Sequence, residues 1–325
     1  MTRSFSRRGL IITASTLFFC GLACAQNSSW PTKPIKLVVG YPAGLTVDVT
    51  ARIYAEKLSK TLGQPVIVEN RAGATGNIAQ DYVAKSPADG NTLLYTVSNS
   101  FVSNPYVYPK LPFDVDKDFA PVGVTATSGL YFIVNKDFPA KTLPEALKLV
   151  RENPGRYSYG SYGVGGFPHL VMEVVQDAEK LNMVHVPYKG GALQDVVGGS
   201  IPLVLEPPGS AIPMIRDGRI RALAYVGSKR HPATPDVPLL SDTVPAMKEI
   251  TGFFGIWAPA GTPKDVVSKL NREIAKASRD AEVQEKIRSA FAEPASSTPA
   301  EMASAVKKEQ ARWSALIKAK NIRVE

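Results

Sequence analysis

Ile35-Lys36-Leu37-Val38-Val39-Gly40-Tyr41-Pro42-Ala43-Gly44-Leu45-Thr46-Val47-Asp48 decides how the rest of the chain reads. A short β-branched run stops at a glycine, and a helical pattern starts a few residues later. Val49, Ile53, Leu58 and Leu62 recur near helical spacing over residues 47–62, as one apolar helix face requires. Gly63 then stands where a helix takes its left-handed terminal residue. Val66-Ile67-Val68 is a second strand, followed by the turn-rich Asn70-Arg71-Ala72-Gly73-Ala74-Thr75-Gly76-Asn77, a helix to Lys85 and the strand Thr92-Leu93-Leu94-Tyr95-Thr96. This alternation implies α/β architecture, a parallel sheet covered by helices with right-handed crossovers.

The pattern returns further along. Strands are expected at 131–134, 157–160, 183–186, 203–205 and 221–226, with helices at 143–152 and 168–181 between them. Pro144 suits a first helical turn, and Asn153-Pro154-Gly155 closes that helix. The last third reads as a strand at 252–258 and amphipathic helices at 263–278, 281–290 and 299–319. There is no sequence repeat, although the two α/β stretches look alike in plan.

The N-terminus reads as a removable leader over residues 1–25. Arg3, Arg7 and Arg8 precede the apolar residues 9–22, and Ala23-Cys24-Ala25 fits a cleavage site. Arg7-Arg8 also fits a twin-arginine signal weakly. Cys20 and Cys24 both lie in this leader. The remaining chain therefore excludes disulfides, thiolate catalysis and cysteine-bound zinc. The formal charge is +9, and losing three arginines leaves +6. Such a surface either concentrates anions near the protein or serves solubility alone. No long basic block appears, so nucleic acid is not expected as a partner.

Four strand-to-helix junctions carry small polar groups. The first holds Tyr41, Ala43, Gly44, Leu45 and Asp48, the second Thr75, Gly76 and Asn77. Ser98 and Ser100 follow the third strand, and Ser161, Gly165 and His169 lie around a glycine-rich fourth junction. In open α/β sheets, ligands collect at the carboxyl ends of strands. There the free amides and dipoles of helix starts favour an anion. Each junction reads equally as an ordinary turn. His169 reads as a general base or as a cap or core histidine. The histidines His169, His185 and His231 lack metal-ligand spacing. No nucleotide fingerprint or nucleophile elbow occurs, so neither cofactor nor catalysis is expected.

These motifs, in this order, resemble the tripartite tricarboxylate transporter receptor family, the Bug family of periplasmic receptors. The stretches that carry the likeness include Pro34-Ile35-Lys36-Leu37-Val38-Val39, Pro42-Ala43-Gly44, Gly63-Gln64-Pro65-Val66 and Glu69-Asn70-Arg71. Others are Lys110-Leu111-Pro112-Phe113-Asp114, Val184-His185-Val186-Pro187-Tyr188-Lys189-Gly190 and Ala258-Pro259-Ala260-Gly261-Thr262-Pro263. The likeness runs from Trp30 to the C-terminus.

The resemblance implies a two-lobed periplasmic-binding-protein type II fold, each lobe a mostly parallel sheet flanked by helices, with a ligand cleft between them. Lobe 1 would comprise 26–124 and 229–325, and lobe 2 residues 125–228. It also implies an exported monomer without cofactor that captures a small carboxylate. The permease subunits would be its partners; a sensor kinase is the alternative, and a periplasmic hydrolase or isomerase a remote one. The implied ligand contacts are the junction residues named above together with Glu206, which fills a position commonly Asp or Asn. Leu45 stands where the family has glycine, Phe101 where histidine is frequent, and Gly166-Phe167 where small hydroxyl residues are common. After Tyr188-Lys189-Gly190 the chain is two residues shorter than usual. Together these departures imply a less polar pocket with an acid at one side. Aromatic, amine-bearing or hydroxyl-bearing acids would be favoured over citrate.

Overall fold

The structure is a computed structural model that describes residues 30–188 and 191–324. The expected leader lies outside the described residues. The first strand, β1 (Ile35–Val39), leads through α1 (Thr46–Leu62), β2 (Val66–Asn70), α2 (Asn77–Ala84), β3 (Thr92–Val97), α3 (Asn99–Val102) and α4 (Asn104–Val107) to β4 (Phe119–Ser128). A second series runs β5 (Leu130–Asn135), α5 (Leu143–Arg151), β6 (Ser158–Ser161), α6 (Phe167–Glu179), β7 (Val184–Pro187), α7 (Leu193–Val197), β8 (Leu203–Glu206), α8 (Pro208–Arg216), β9 (Ile220–Val226) and α9 (Leu240–Thr243). The chain then returns with β10 (Gly252–Pro259), α10 (Lys264–Arg279), α11 (Ala281–Ser289), β11 (Glu293–Pro294) and α12 (Pro299–Ala319).

Two sheets result. Their orders are β11-β4-β10-β3-β1-β2 and β7-β6-β8-β5-β9. Strands β1, β2, β3 and β4 run one way, with β10 and β11 against them. Strands β6, β7, β8 and β9 run one way, with β5 against them. The expectation of mostly parallel sheets holds by strand direction, but both sheets are mixed. The reversed strands β5 and β10 are the first that each sheet receives after the chain crosses over. The orders β2-β1-β3-β10-β4 and β7-β6-β8-β5-β9 correspond strand for strand.

The pleat of β1 sorts its side chains between two layers. Ile35, Leu37 and Val39 pack under α1, α10 and α11 with Tyr54, Leu58, Leu270 and Ile274, while Val38 faces the opposite side. On that side Phe101 is fully buried and stacks on Trp257 at 4.2 Å between ring centroids. Phe101 was expected near the polar rim; the stack places it in the core. Three helices close their own amino ends with side chains: Thr142 for α5, Asp280 for α11 and Thr298 for α12.

The crossings were expected near Thr125 and Ser228. Thr125 lies within β4, and the chain leaves the first sheet at Gly129. After β9, Leu239 bridges to Tyr225, and α9 packs on β9. The turn around Pro245–Met247 packs on α6. We therefore propose that the second lobe extends to about residue 250 rather than ending at 228.

Gly129 makes the first crossing. A Cβ there would stand 1.9 Å from the Val226 carbonyl oxygen and 2.6 Å from the Tyr225 ring. Gly129→Ala is therefore expected to destabilise the protein by about 3 kcal/mol through overpacking, read as a lower urea midpoint. An unchanged midpoint would show that this crossing has slack.

Candidate ligand-binding cleft

The sharp turn between β1 and α1 is held by one buried acid. Asp48 is 2% exposed. One of its oxygens accepts from the Gly44 amide at 2.9 Å and from Arg52 Nε at 3.0 Å. The other accepts from Arg52 and from Asn70 Nδ2 at 2.8 Å. Asn70 also donates to the Tyr41 carbonyl. Burial pushes the Asp48 carboxyl up, but Arg52, the Gly44 amide and Asn70 together hold it below the usual range. Asp48 was expected to meet the ligand. Its oxygens are instead committed to shaping the turn that carries Ala43, Gly44 and Leu45. Arg52 was legible as its partner one helical turn on; the bonds from Asn70 were not.

Leu45 sits at the N-cap of α1 without a side-chain cap, and it is about half exposed. The helical bonds start with the amides of Asp48 and Val49, both donated to the Leu45 carbonyl. The amides before them form the open end that every uncapped helix has.

The second junction turns left-handed. Gly73, Ala74, Thr75 and Gly76 all have positive φ, which strains the two non-glycine residues. Thr75 Oγ1 meets the Tyr108 hydroxyl at 3.0 Å, and Asn104 donates to the Thr75 carbonyl and to Asn77 Oδ1. Gly76 fits against the Tyr41 ring, Thr96 and Ser100. Tyr108 and Asn104 were not among the expected contacts, since only the fold brings them here.

The third junction faces inward more than expected. Ser100 is fully buried, donates to the Val97 carbonyl and pairs with Thr96 Oγ1. Ser98 Oγ accepts from the Phe253 amide. Between them Asn99 carries a buried carbonyl oxygen without a partner.

In the second lobe, Ser161 is 1% exposed and bonds the Gly163 amide and His185 Nε2, the latter at 2.6 Å. His169 Nδ1 accepts from the Gly165 amide at 2.9 Å. Its ring stacks on His185 at 3.8 Å. Burial lowers His169 to about 3 with help from His185, and burial lowers His185 to about 4. Both rings are neutral at pH 7. His169 is thus buried and bonded within the fold, and these groups knit the glycine-rich loop together.

Glu206 ends β8 just before the uncapped start of α8. It is 3% exposed. Oε1 accepts from Ser210, while Oε2 is buried without a partner among the described residues. Burial raises its carboxyl, opposed by Ser210 and Tyr162.

The two lobes meet along this belt. A Cβ on Gly209 in α8 would stand 2.9 Å from Thr46 Oγ1 at the start of α1. A Cβ on Gly165 would stand 2.4 Å from a methyl of Val107. The starts of α1, α2, α6 and α8 all lack side-chain caps and all follow strand ends. The start of α10, outside the belt, is also uncapped. Two small cavities lie away from the belt, one of about 20 Å³ at the crossing near Gly129 and His231, the other beside α11. Among the described residues, no group of His, Cys, Asp and Glu could hold a metal ion, and no helix is long and apolar enough to cross a membrane.

A family model described as the tripartite tricarboxylate transporter family receptor matches residues 50–322. A protein encoded in the tcbD-tcbE intergenic region of a Pseudomonas species (strain P51) is 37% identical over 310 residues, covering 91% of this chain and 92% of the relative. Among solved structures, Rpa4515 of R. palustris with adipate is 33% identical with a TM-score of 0.83, covering 91% of this chain and 100% of that one. MatC of Rhodopseudomonas palustris with bound malate is 29% identical with a TM-score of 0.77, covering 88% and 99%.

Asp48→Ala would strand the Gly44 amide and Asn70, and free the half-exposed Arg52. A cost of about 2 kcal/mol is expected from the lost hydrogen bonds, with little added by the solvent-screened ion pair. Because the folded carboxyl is held low, this contribution is present above the ordinary carboxylate range and fades as acid protonates it. Denaturant titrations at neutral and acid pH measure both effects. An equal penalty at both would contradict the charge argument.

Proposed function

The chain belongs to the tripartite tricarboxylate transporter receptor family, whose members are solute-binding receptors and not enzymes, and from that premise we propose that it captures a small organic carboxylate between its lobes. One observation carries the reading: uncapped starts of α1, α2, α6 and α8 lie at strand ends along the belt where the lobes meet. Each such start is worth roughly 0.3–1 kcal/mol to an anion, and up to ~2 kcal/mol when partly buried. A few charge-assisted hydrogen bonds at roughly 1.5–3 kcal/mol each add to this. Their sum reaches the roughly −8 kcal/mol of a micromolar complex.

The ligand's carboxylate docks on the first lobe, at the turn of Ala43, Gly44 and Leu45 and beside Thr75, Gly76 and Asn77. Ser98, Ser100, Ser161, Gly165 and His169 support the loops around it. Gly209 against Thr46 leaves little room in the present arrangement, so entry requires the lobes to part. The two lobes then close on the ligand to the extent that it binds the closed form better. The closed receptor, exported by its leader and working as a monomer in the periplasm, delivers the ligand to a membrane permease.

Two exposed side chains supply apolar surface for the rest of the ligand. Leu45 is 49% exposed and Tyr162 37% exposed. An aromatic acid, or one bearing an amine or hydroxyl near Glu206, suits these surfaces better than citrate. The relatives with adipate and malate support carboxylate recognition as the common theme.

A thermal-shift panel of aromatic, hydroxy, amino and tricarboxylic acids tests this, since ligands stabilise by mass action. Stabilisation by several monocarboxylates but not by citrate is expected; no shift with any acid would sink the reading. Leu45→Gly is expected to weaken aromatic acids by about 1–2 kcal/mol through lost apolar burial. It should spare small polar acids, as isothermal titration would read.

A further inference from the structure

We infer that Glu206 reads the charge at the far end of the ligand. As a carboxylate it accepts from a hydroxyl or ammonium group and turns a second carboxylate away. As a neutral acid it donates to a second carboxylate, so acidifying the cleft shifts preference from mono- to dicarboxylates. This rests on the receptor reading above and adds a selection rule to it.

The geometry is specific to this side chain. Glu206 Oε1 is engaged by the Ser210 hydroxyl, but Oε2 is buried and has no partner among the described residues. A buried carboxylate oxygen without a donor costs free energy until something supplies one. Three elements surround the group. Ser210 comes from α8, and Tyr162 from the β6–α6 loop lies with Glu206 around Gly191. Tyr131 is its cross-strand neighbour on β5, with its own hydroxyl on Thr234. Among the described residues Glu206 forms no ion pair, and no lysine or arginine figures among the groups that shift its carboxyl. Lys189 lies outside the described residues, two positions before Gly191.

Burial raises the carboxyl above the ordinary value of 4.5, so protonation lies nearer to neutrality than for an exposed glutamate. Tyr162 supports the ionised form, while burial first and the Glu206 charge second hold the Tyr162 phenol well above 10. The mouth of the subsite is set by the opposite lobe, where Thr46 approaches Gly209 in the turn after Glu206. A ligand anchored by its carboxylate at the start of α1 therefore presents its other end to Glu206. Two anions cannot share that dry contact without a proton between them.

Tyr162 is a positioning residue here. Its hydroxyl favours the carboxylate, so removing it should move the change of preference to higher pH.

The test pairs ligands that share a body and differ at the far end: 6-hydroxyhexanoate with adipate, and 4-hydroxybenzoate with benzene-1,4-dicarboxylate. Isothermal titration of the purified protein at about pH 8 and about pH 4 brackets the ordinary and raised carboxyl range. The hydroxy acid is expected to lead by at least about tenfold at the higher pH, which is about 1.4 kcal/mol, and the lead should vanish or reverse at the lower. Glu206→Gln keeps the Ser210 bond and offers a permanent donor. It should admit the dicarboxylate at both pH values; the pH dependence it retains is that of the ligand's own carboxyl. Tyr162→Phe should shift the midpoint upward whatever its effect on affinity, and Lys189→Met should leave the preference in place. If the hydroxy and dicarboxylate members bind equally at both pH values, or Glu206→Gln matches the wild type, the charge-reading role is overturned while the receptor stands. If no acid in either pair binds, in these titrations or in the wider panel, both fall together.

Discussion

Each sheet of this protein is completed by a strand delivered from the other lobe. Strand β5 enters the second sheet straight from β4, and β10 enters the first after the chain returns from β9 and α9. Because each inserted strand runs against its neighbours, the chain can cross and pair without a long connection at Gly129. The same double crossing ties two independent sheets at one edge of the molecule. It also turns the carboxyl ends of β1, β2 and β3 toward those of β6 and β8, as the Gly209–Thr46 and Gly165–Val107 approaches record. Everything the site can do follows from that opposition.

The polar side chains along the belt mostly serve the loops that carry them. Asp48 fixes the first turn, Ser161 and His169 fix the glycine-rich loop, and Ser100 is spent inside the third junction. On the reading proposed above, what remains for a guest is the open backbone at helix starts. Amides held this way are rigid, because the networks behind them allow few alternative positions. Such an arrangement would grip an anionic group in nearly any small acid, and it would leave discrimination to the surfaces around it.

Those surfaces are unlike one another. The first lobe offers Leu45 beside an electropositive helix start; the second offers Tyr162 and an acid with one unmatched oxygen. An unmatched buried acid works against stability in the empty protein. On the reading proposed above, its place at the end of β8, next to the Gly209–Thr46 approach of the lobes, sets the pocket apart from a plain anion trap.

Much of the fold was legible from local pattern. Residues 35–62 announce strand, turn and helix through the periodicity of their apolar residues and the glycine at 63, and the second series repeats that logic. Composition likewise limited the chemistry, since cysteines fall only at residues 20 and 24. The junctions where polar groups gather were visible too, because strand ends and helix starts are local features. The roles within them were not. A sequence shows that Asp48 and Arg52 are a helical turn apart. It does not show that Asn70 arrives from the next strand to complete the network, or that Asn104 and Tyr108 fold back onto Thr75. Phe101 reads as a rim residue by position and becomes core because Trp257 comes from a strand more than a hundred residues away. The proposed extension of the second lobe rests on the same kind of contact, since α9 packs on β9. Local propensity fixes which residues form elements, whereas long-range packing decides which hydrogen bonds remain unspent, and those determine what a ligand can find.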